Sequence, residues 1–264
     1  MHLGKICFLL DPDKNTIENV FKGCVNLQGI FNKPFLENHV EYWVGGTNAS
    51  GEDVKKWLKQ LADKKIGKRF IFPGKISQGV LGYPHADCAL VPYLLNWSKI
   101  EVYFYNLMGI LLSKLYERKY LFGYLVMSNR SSVGRKVGAK DLSNNKLINI
   151  VNHFLKTGIS KTVYLEAGSG AKEHARFSLV KEISKIIHKK KFHYLIVGGG
   201  IKSADEIKKL FSIGVDKVVV STILEQDSSE KSLKVMKNLI KPIETLWKKS
   251  NLSYSKRIVD YDFV

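Results

Sequence analysis

Tyr164-Leu165-Glu166-Ala167-Gly168-Ser169-Gly170-Ala171 is an apolar, strand-like run that ends in a carboxylate and opens into glycines and a serine. Gly168 and Gly170 have no side chain to block a close backbone approach, so their N–H groups and the Ser169 hydroxyl suit a phosphate. Glu166, at the end of the strand, then stands beside a bound phosphate ester as a candidate base. An ordinary tight turn with a solvated Glu166 fits the same eight residues, and short glycine-rich matches are weakly specific.

The pattern recurs along the chain. Tyr194-Leu195-Ile196-Val197 runs into Gly198-Gly199-Gly200, and Ser203 with Asp205 and Glu206 then signals a helix start. Ile6 to Leu10 is continuously apolar, as in a strand buried on both faces of a parallel sheet, and ends at Asp11-Pro12-Asp13-Lys14. Further strands are expected at Tyr42–Val44, Phe70–Phe72, Cys88–Leu95, Tyr120–Met127, Thr162–Leu165 and Lys217–Val220. Helices are expected from a Thr16 cap to about Phe31, then over Glu52–Lys64, Lys99–Arg118, Leu142–Thr157, Glu173–His188 and Ser228–Lys249, with one more starting near Ser203. The stretch from Lys75 to His85 carries Gly79, Gly82 and Pro84 and reads as an irregular crossover. Eight strands alternating with helices predict an α/β (β/α)8 barrel over residues 1–249, with its site at the C-terminal strand ends and an uninterpreted tail at 250–264.

Composition narrows the class. The 264 residues are 45% hydrophobic and 11% aromatic, which belongs to a globular chain rather than a disordered one. Met1 to Lys5 leads directly into a strand without a secretory pattern, and the apolar Val102 to Leu112 run is too short for a membrane span, so a soluble, cytoplasmic protein is expected. Cys7, Cys24 and Cys88 have no disulfide or zinc spacing. The net charge of +18 would attract a polyanionic substrate, nucleic acid or an anionic membrane surface. Its lysines are scattered, with no nucleic-acid signature, so no nucleic-acid partner is expected.

Barrels of this type commonly hold a phosphate in the loops after strands seven and eight. Gly199 and Gly200 before a helix N-terminus, Gly168 to Gly170 after strand six, and Val220-Ser221 at strand eight together surround one anion. Across the mouth, Asp11 and Thr47 supply hard oxygen ligands suited to one Mg2+ completed by water and substrate phosphate oxygens, with Lys14 beside them. Two facing anion regions point to two phosphorylated substrates, or to one phosphorylated at both ends.

The chain at this point resembles the geranylgeranylglyceryl phosphate synthase family, which includes the bacterial heptaprenylglyceryl phosphate synthases. The resemblance rests on Asp11 to Lys14, Gly45-Gly46-Thr47, Pro73-Gly74, Pro92 to Asn96, Val133-Gly134-Arg135, Tyr164 to Ala171 and Gly198 to Ile201, in order over nearly the whole chain. The Tyr-Leu-Glu-Ala-Gly-Ser-Gly run with the triple glycine looks like the family's second subgroup. The resemblance implies a modified TIM barrel lacking the third helix, and a homo-oligomer. It also implies Mg2+-dependent transfer of a polyprenyl group from its diphosphate to the C3 hydroxyl of sn-glycerol 1-phosphate.

By that resemblance Glu166 takes the hydroxyl proton and Lys14, with the metal at Asp11 and Thr47, stabilises the leaving charge. Tyr164, Ser169, Gly170, Gly199, Gly200 and Ser221 hold the acceptor. The prenyl tail needs an apolar groove, for which Trp97 and the helix from Tyr103 to Leu112 are candidates, although an aromatic stripe at helical spacing also suits a core. The family's usual glycine at strand eight is Val220 here, and a β-branched side chain is expected to narrow the acceptor pocket. Another three-carbon phosphate such as 3-phosphoglycerate is therefore an alternative acceptor. A phosphosugar isomerase or lyase, and a silent barrel that binds anionic surfaces, are the rival functions. The positive charge adds peripheral attachment to an anionic membrane as an expectation.

Overall fold

Strands buried on both faces read as unbroken apolar runs, and in the computed structural model those runs close on themselves. The structure describes residues 3–14, 17–168, 175–221 and 229–251. The strands are β1 (Lys5–Leu10), β2 (Val40–Val44), β3 (Lys68–Ile71), β4 (Cys88–Leu94), β5 (Lys119–Val126), β6 (Thr162–Glu166), β7 (Tyr194–Gly198) and β8 (Lys217–Val220). They pair in parallel in chain order, and β8 returns to β1 through Ile6 opposite Val218. The result is the expected (β/α)8 barrel.

Period-two alternation divides each strand between two cores. Ile6, Phe8 and Leu10 pack outward with the helices, whereas Cys7, Trp43, Phe70, Leu90, Phe122, Tyr164, Ile196 and Val219 fill the barrel. The outer layer contains α1 (Ile17–Ile30), α2 (Lys33–His39), α3 (Gly51–Asp63), α4 (Ile76–Gly82), α5 (Ile100–Ser113), α6 (Ser132–Val137), α7 (Asn144–Thr157), α8 (Phe177–Ile187), α9 (Ala204–Ser212) and α10 (Ser229–Asn251). The helix start expected at Ser203 is formed, and as a capping box, with Ser203 and Glu206 each bonding the other's backbone.

The crossover from β3 to β4 differs from expectation. In place of an irregular segment it holds the seven-residue α4 and a 3-10 turn over Tyr83–His85. The glycines that argued against a helix serve close packing: a Cβ on Gly82 would lie 2.5 Å from Ile71, and one on Gly79 would lie 2.3 Å from the Tyr116 hydroxyl. The helix is still much shorter than its 14-residue counterpart α5, so the barrel's outer layer is thin here.

The N-terminal end of the barrel is closed by an ion cluster that the sequence did not reveal. Lys217 Nζ lies 3.0 and 2.8 Å from the two Glu41 oxygens, Lys5 adds a contact at 3.1 Å, and the Trp43 indole donates at 3.1 Å. Burial by itself raises the Glu41 carboxyl, but Lys217 and Lys5 outweigh it and hold the group down at about 2. Lys5 is in turn held below its ordinary range by burial. The cluster seals the floor, so ligand access is from the other end.

Candidate functional site

At the C-terminal end the strands open into a cavity of about 800 Å3, within the ~300–1,000 Å3 of small-molecule sites. Its polar pole is built on β6. Inward alternation places Thr162, Tyr164 and Glu166 on one line, and the strand ends as Glu166 reaches the cavity. The Tyr164 hydroxyl donates to Glu166 Oε2 at 2.6 Å, and the Gly168 N–H donates to Oε1 at 2.7 Å. Glu166 is 6% exposed, so a buried carboxylate here needs those donors. Burial pushes its pKa above the ordinary glutamate value, and Tyr164, Gly168, Lys14 and Tyr124 only partly offset it. Burial also raises the Tyr124 and Tyr164 hydroxyls, which therefore stay protonated and able to donate.

Gly199 and Gly200 both have positive φ, 80° and 70°, and line the same pole with Lys202 and Ser221. A Cβ on Gly199 would fall 2.5 Å from Glu166 Oε1 and 2.6 Å from the Gly168 nitrogen. The triple glycine is thus required by the carboxylate packed against it as well as by its own backbone. Gly168 sits beside the Ser131 cap of α6, and Ser169 and Gly170 lie outside the described residues.

Asp11, Lys14 and Thr47 line the facing side. Asp11 is buried and accepts from the Asp13 N–H at 3.1 Å. Gly46 lies so close that a Cβ there would be 2.1 Å from Asp11 Oδ1. The space over the carboxylate therefore exists only because residue 46 has no side chain. No cluster of three or more His, Cys, Asp or Glu able to hold a metal occurs among the described residues. One carboxylate with a nearby hydroxyl fits a Mg2+ that takes most of its ligands from water and substrate.

Between the poles the wall is apolar, formed by Phe72, Pro92, Leu94, Val102, Tyr105, Val133 and Val137. Of the stretch from Tyr103 to Leu112, Tyr105 lines this wall, joined by Val102 from the same helix, whereas Trp97 packs against the barrel core. Most of the Tyr103 to Leu112 stripe is neither core nor groove: Tyr103, Phe104, Leu107, Met108 and Leu111 are exposed.

Val220 requires a correction. Its side chain belongs to the layer between strands and helices, and Val219 and Ser221 face the cavity instead. Alternation turns residue 220 outward, so its β-branched side chain does not narrow the pocket. Tyr124 was missed altogether; its hydroxyl helps hold the Glu166 pKa down, and it lies in register with Tyr164. Two tyrosines at matching inward positions of adjacent strands were the available signal.

Residues 3–240 match the PcrB family. The chain is 31% identical over 227 residues to the geranylgeranylglyceryl phosphate synthase of Ignicoccus hospitalis, covering 84% of this chain and 88% of that one. It is 30% identical over 230 residues to the enzyme of the same name from Flavobacterium johnsoniae, with the same coverage of 84% and 88%. The fold is shared with the solved (S)-3-O-geranylgeranylglyceryl phosphate synthase from Thermoplasma acidophilum in complex with its substrate sn-glycerol-1-phosphate, at a TM-score of 0.73, 21% identity and coverage of 92% of this chain and 94% of that one. The barrel, the Tyr164–Gly170 and Gly198–Gly200 motifs and these matches together place the chain in the PcrB family, among the geranylgeranylglyceryl phosphate synthases.

Proposed function

We propose that the protein is a prenyltransferase that joins a polyprenyl diphosphate to the free hydroxyl of sn-glycerol 1-phosphate, forming a prenyl ether and releasing diphosphate. The observation that carries this reading is the position of buried Glu166 between a glycine-lined polar pole and an apolar wall. In the reaction, the acceptor oxygen bonds to C1 of the prenyl group as the C1–O bond to diphosphate breaks. Glu166 takes the hydroxyl proton, and its raised pKa makes it a stronger base than an ordinary glutamate. The Tyr164 hydroxyl and the Gly168 N–H fix the carboxylate's orientation.

Gly199, Gly200 and Ser221, with Ser169 and Gly170 from outside the described residues, hold the acceptor phosphate. Asp11 and Thr47 would hold Mg2+, which when bound stabilises the negative charge of the departing diphosphate. Lys14 adds a positive charge on that side of the cavity. Val102, Tyr105 and the rest of the apolar wall exclude water from the allylic carbon and take the tail. The acceptor named for the Thermoplasma acidophilum structure supports glycerol phosphate here. With Val220 turned outward, the argument for a different acceptor loses its steric basis.

The decisive assay supplies Mg2+, a panel of prenyl diphosphates, and labelled sn-glycerol 1-phosphate or 3-phosphoglycerate. A lipid-extractable ether from the first acceptor is expected. No product from any pair, with folded protein, overturns the prenyltransferase reading, and product from 3-phosphoglycerate alone overturns the acceptor. We further propose that the chain assembles with copies of itself through the exposed face of α5, and that its +18 charge favours peripheral contact with anionic membranes. No helix of the described residues is long and apolar enough to cross a membrane.

A further inference from the structure

Gln78 is fully buried in α4 and uses both ends of its amide. Its Oε1 accepts from the Gly74 N–H at 2.8 Å, and its Nε2 donates to the Gly46 carbonyl at 2.9 Å and the Ala49 carbonyl at 2.7 Å. These partners belong to the loops after β3 and β2, whose Gly46, Thr47, Asn48 and Gly74 line the cavity. The loops leave little slack: a Cβ on Gly74 would lie 2.4 Å from the Gly46 carbonyl oxygen, and one on Gly46 would strike the Asp11 carboxylate. One buried amide therefore sets the height of the Gly46–Thr47 backbone over Asp11. The amide accepts once from one loop and donates twice to the other. A glutamate or an apolar isostere leaves buried backbone groups without partners.

We propose that Gln78 is a positioning residue for the diphosphate end of the reaction, holding Thr47 at the separation from Asp11 that a metal–diphosphate group requires. This rests on assigning the Asp11–Thr47 side to the diphosphate. The acceptor pole lies on β6, β7 and β8, and among the described residues the Gln78 side chain bonds only Gly74, Gly46 and Ala49.

The test compares wild type, Gln78→Glu, Gln78→Met and Asp11→Asn. It measures calorimetric binding of inorganic diphosphate in the presence of Mg2+, and separate KM values for prenyl diphosphate and glycerol phosphate. For both Gln78 variants diphosphate binding and the prenyl diphosphate KM are expected to worsen by about tenfold, the scale of one or two lost buried hydrogen bonds. The glycerol phosphate KM is expected to stay within about twofold, because the effect is local to one pole. Equal loss at both substrates, or no loss at either, overturns the proposal. Gln78→Glu keeps the volume and the acceptor for Gly74, so it serves if Gln78→Met does not fold. If Asp11→Asn also leaves diphosphate binding unchanged, the assignment of that side fails; if only the Gln78 variants are silent, the positioning role fails alone.

Discussion

At the residue scale the site turns on how a buried carboxylate is kept useful. Burial raises the Glu166 pKa, and the donors around it recover part of that shift. Glu166→Gln preserves size and burial but cannot accept the proton. Turnover should fall by about 10²–10⁴-fold, while equilibrium binding of inorganic phosphate stays near wild type; undiminished turnover would remove Glu166 as the base. Tyr124→Phe removes a hydroxyl that favours the ionised form, so the Glu166 pKa should rise further. Because the base must be ionised, the acidic limb of kcat/KM should move to higher pH, and an unmoved limb would mean that Tyr124 does not act on Glu166. Glu166 and its glycines were legible because one strand end carries them. Tyr124 was not, since its role depends on a register between strands that are 40 residues apart in the Tyr124–Tyr164 pairing.

At the element scale, strand positions were readable because burial on both faces leaves continuous apolar runs. Short helices were not. α2 has seven residues, and its Pro34 looks like punctuation, yet it sits in the first turn behind an Asn32 cap, where proline is well placed. Asn106, which seemed to interrupt an apolar helix, is a buried clip: its side chain accepts from the Leu94 N–H at 2.8 Å and donates to the Leu94 carbonyl at 2.9 Å, pinning α5 to β4. The Glu41–Lys217 pair was equally hidden, because its partners stand on β2 and β8 and meet only after the barrel closes. Glu41→Ala should cost about 3–5 kcal/mol in chemical denaturation, the usual effect of leaving a buried charge alone. The folded Glu41 pKa is depressed to about 2, so its contribution is complete above the ordinary carboxyl range and is lost as pH falls towards 2. The wild type should therefore lose more stability on acidification than the variant does. Parallel acid profiles for the two proteins would contradict the assignment.

At the scale of the whole molecule, the outer surface of α5 is the feature the barrel leaves unexplained. Ile100, Tyr103, Phe104, Leu107, Met108 and Leu111 fall at helical spacing and are each at least 41% exposed. Helical periodicity finds such a stripe but is silent on what covers it, because a barrel-facing and a partner-facing stripe have the same pattern. The opposite face of the helix is already committed: Asn106 holds β4, and Val102 and Tyr105 line the cavity. Exposed Ile76 and Val80 on α4 add to the molecule's apolar surface. A contiguous apolar surface of this kind favours a stable interface over free solvent, and a second copy of the chain would also buttress the helix that contributes Val102 and Tyr105 to the cavity wall. Phe104→Glu combined with Leu107→Lys should shift the sedimenting species from an oligomer to the monomer at micromolar concentration. Their side chains lie outside the cavity lining, so any fall in activity should track dissociation and be reversed by raising protein concentration in a weaker single variant. A wild type that sediments as a monomer would reject the assembly, and loss of anionic-liposome flotation in the double variant would instead assign the face to the membrane.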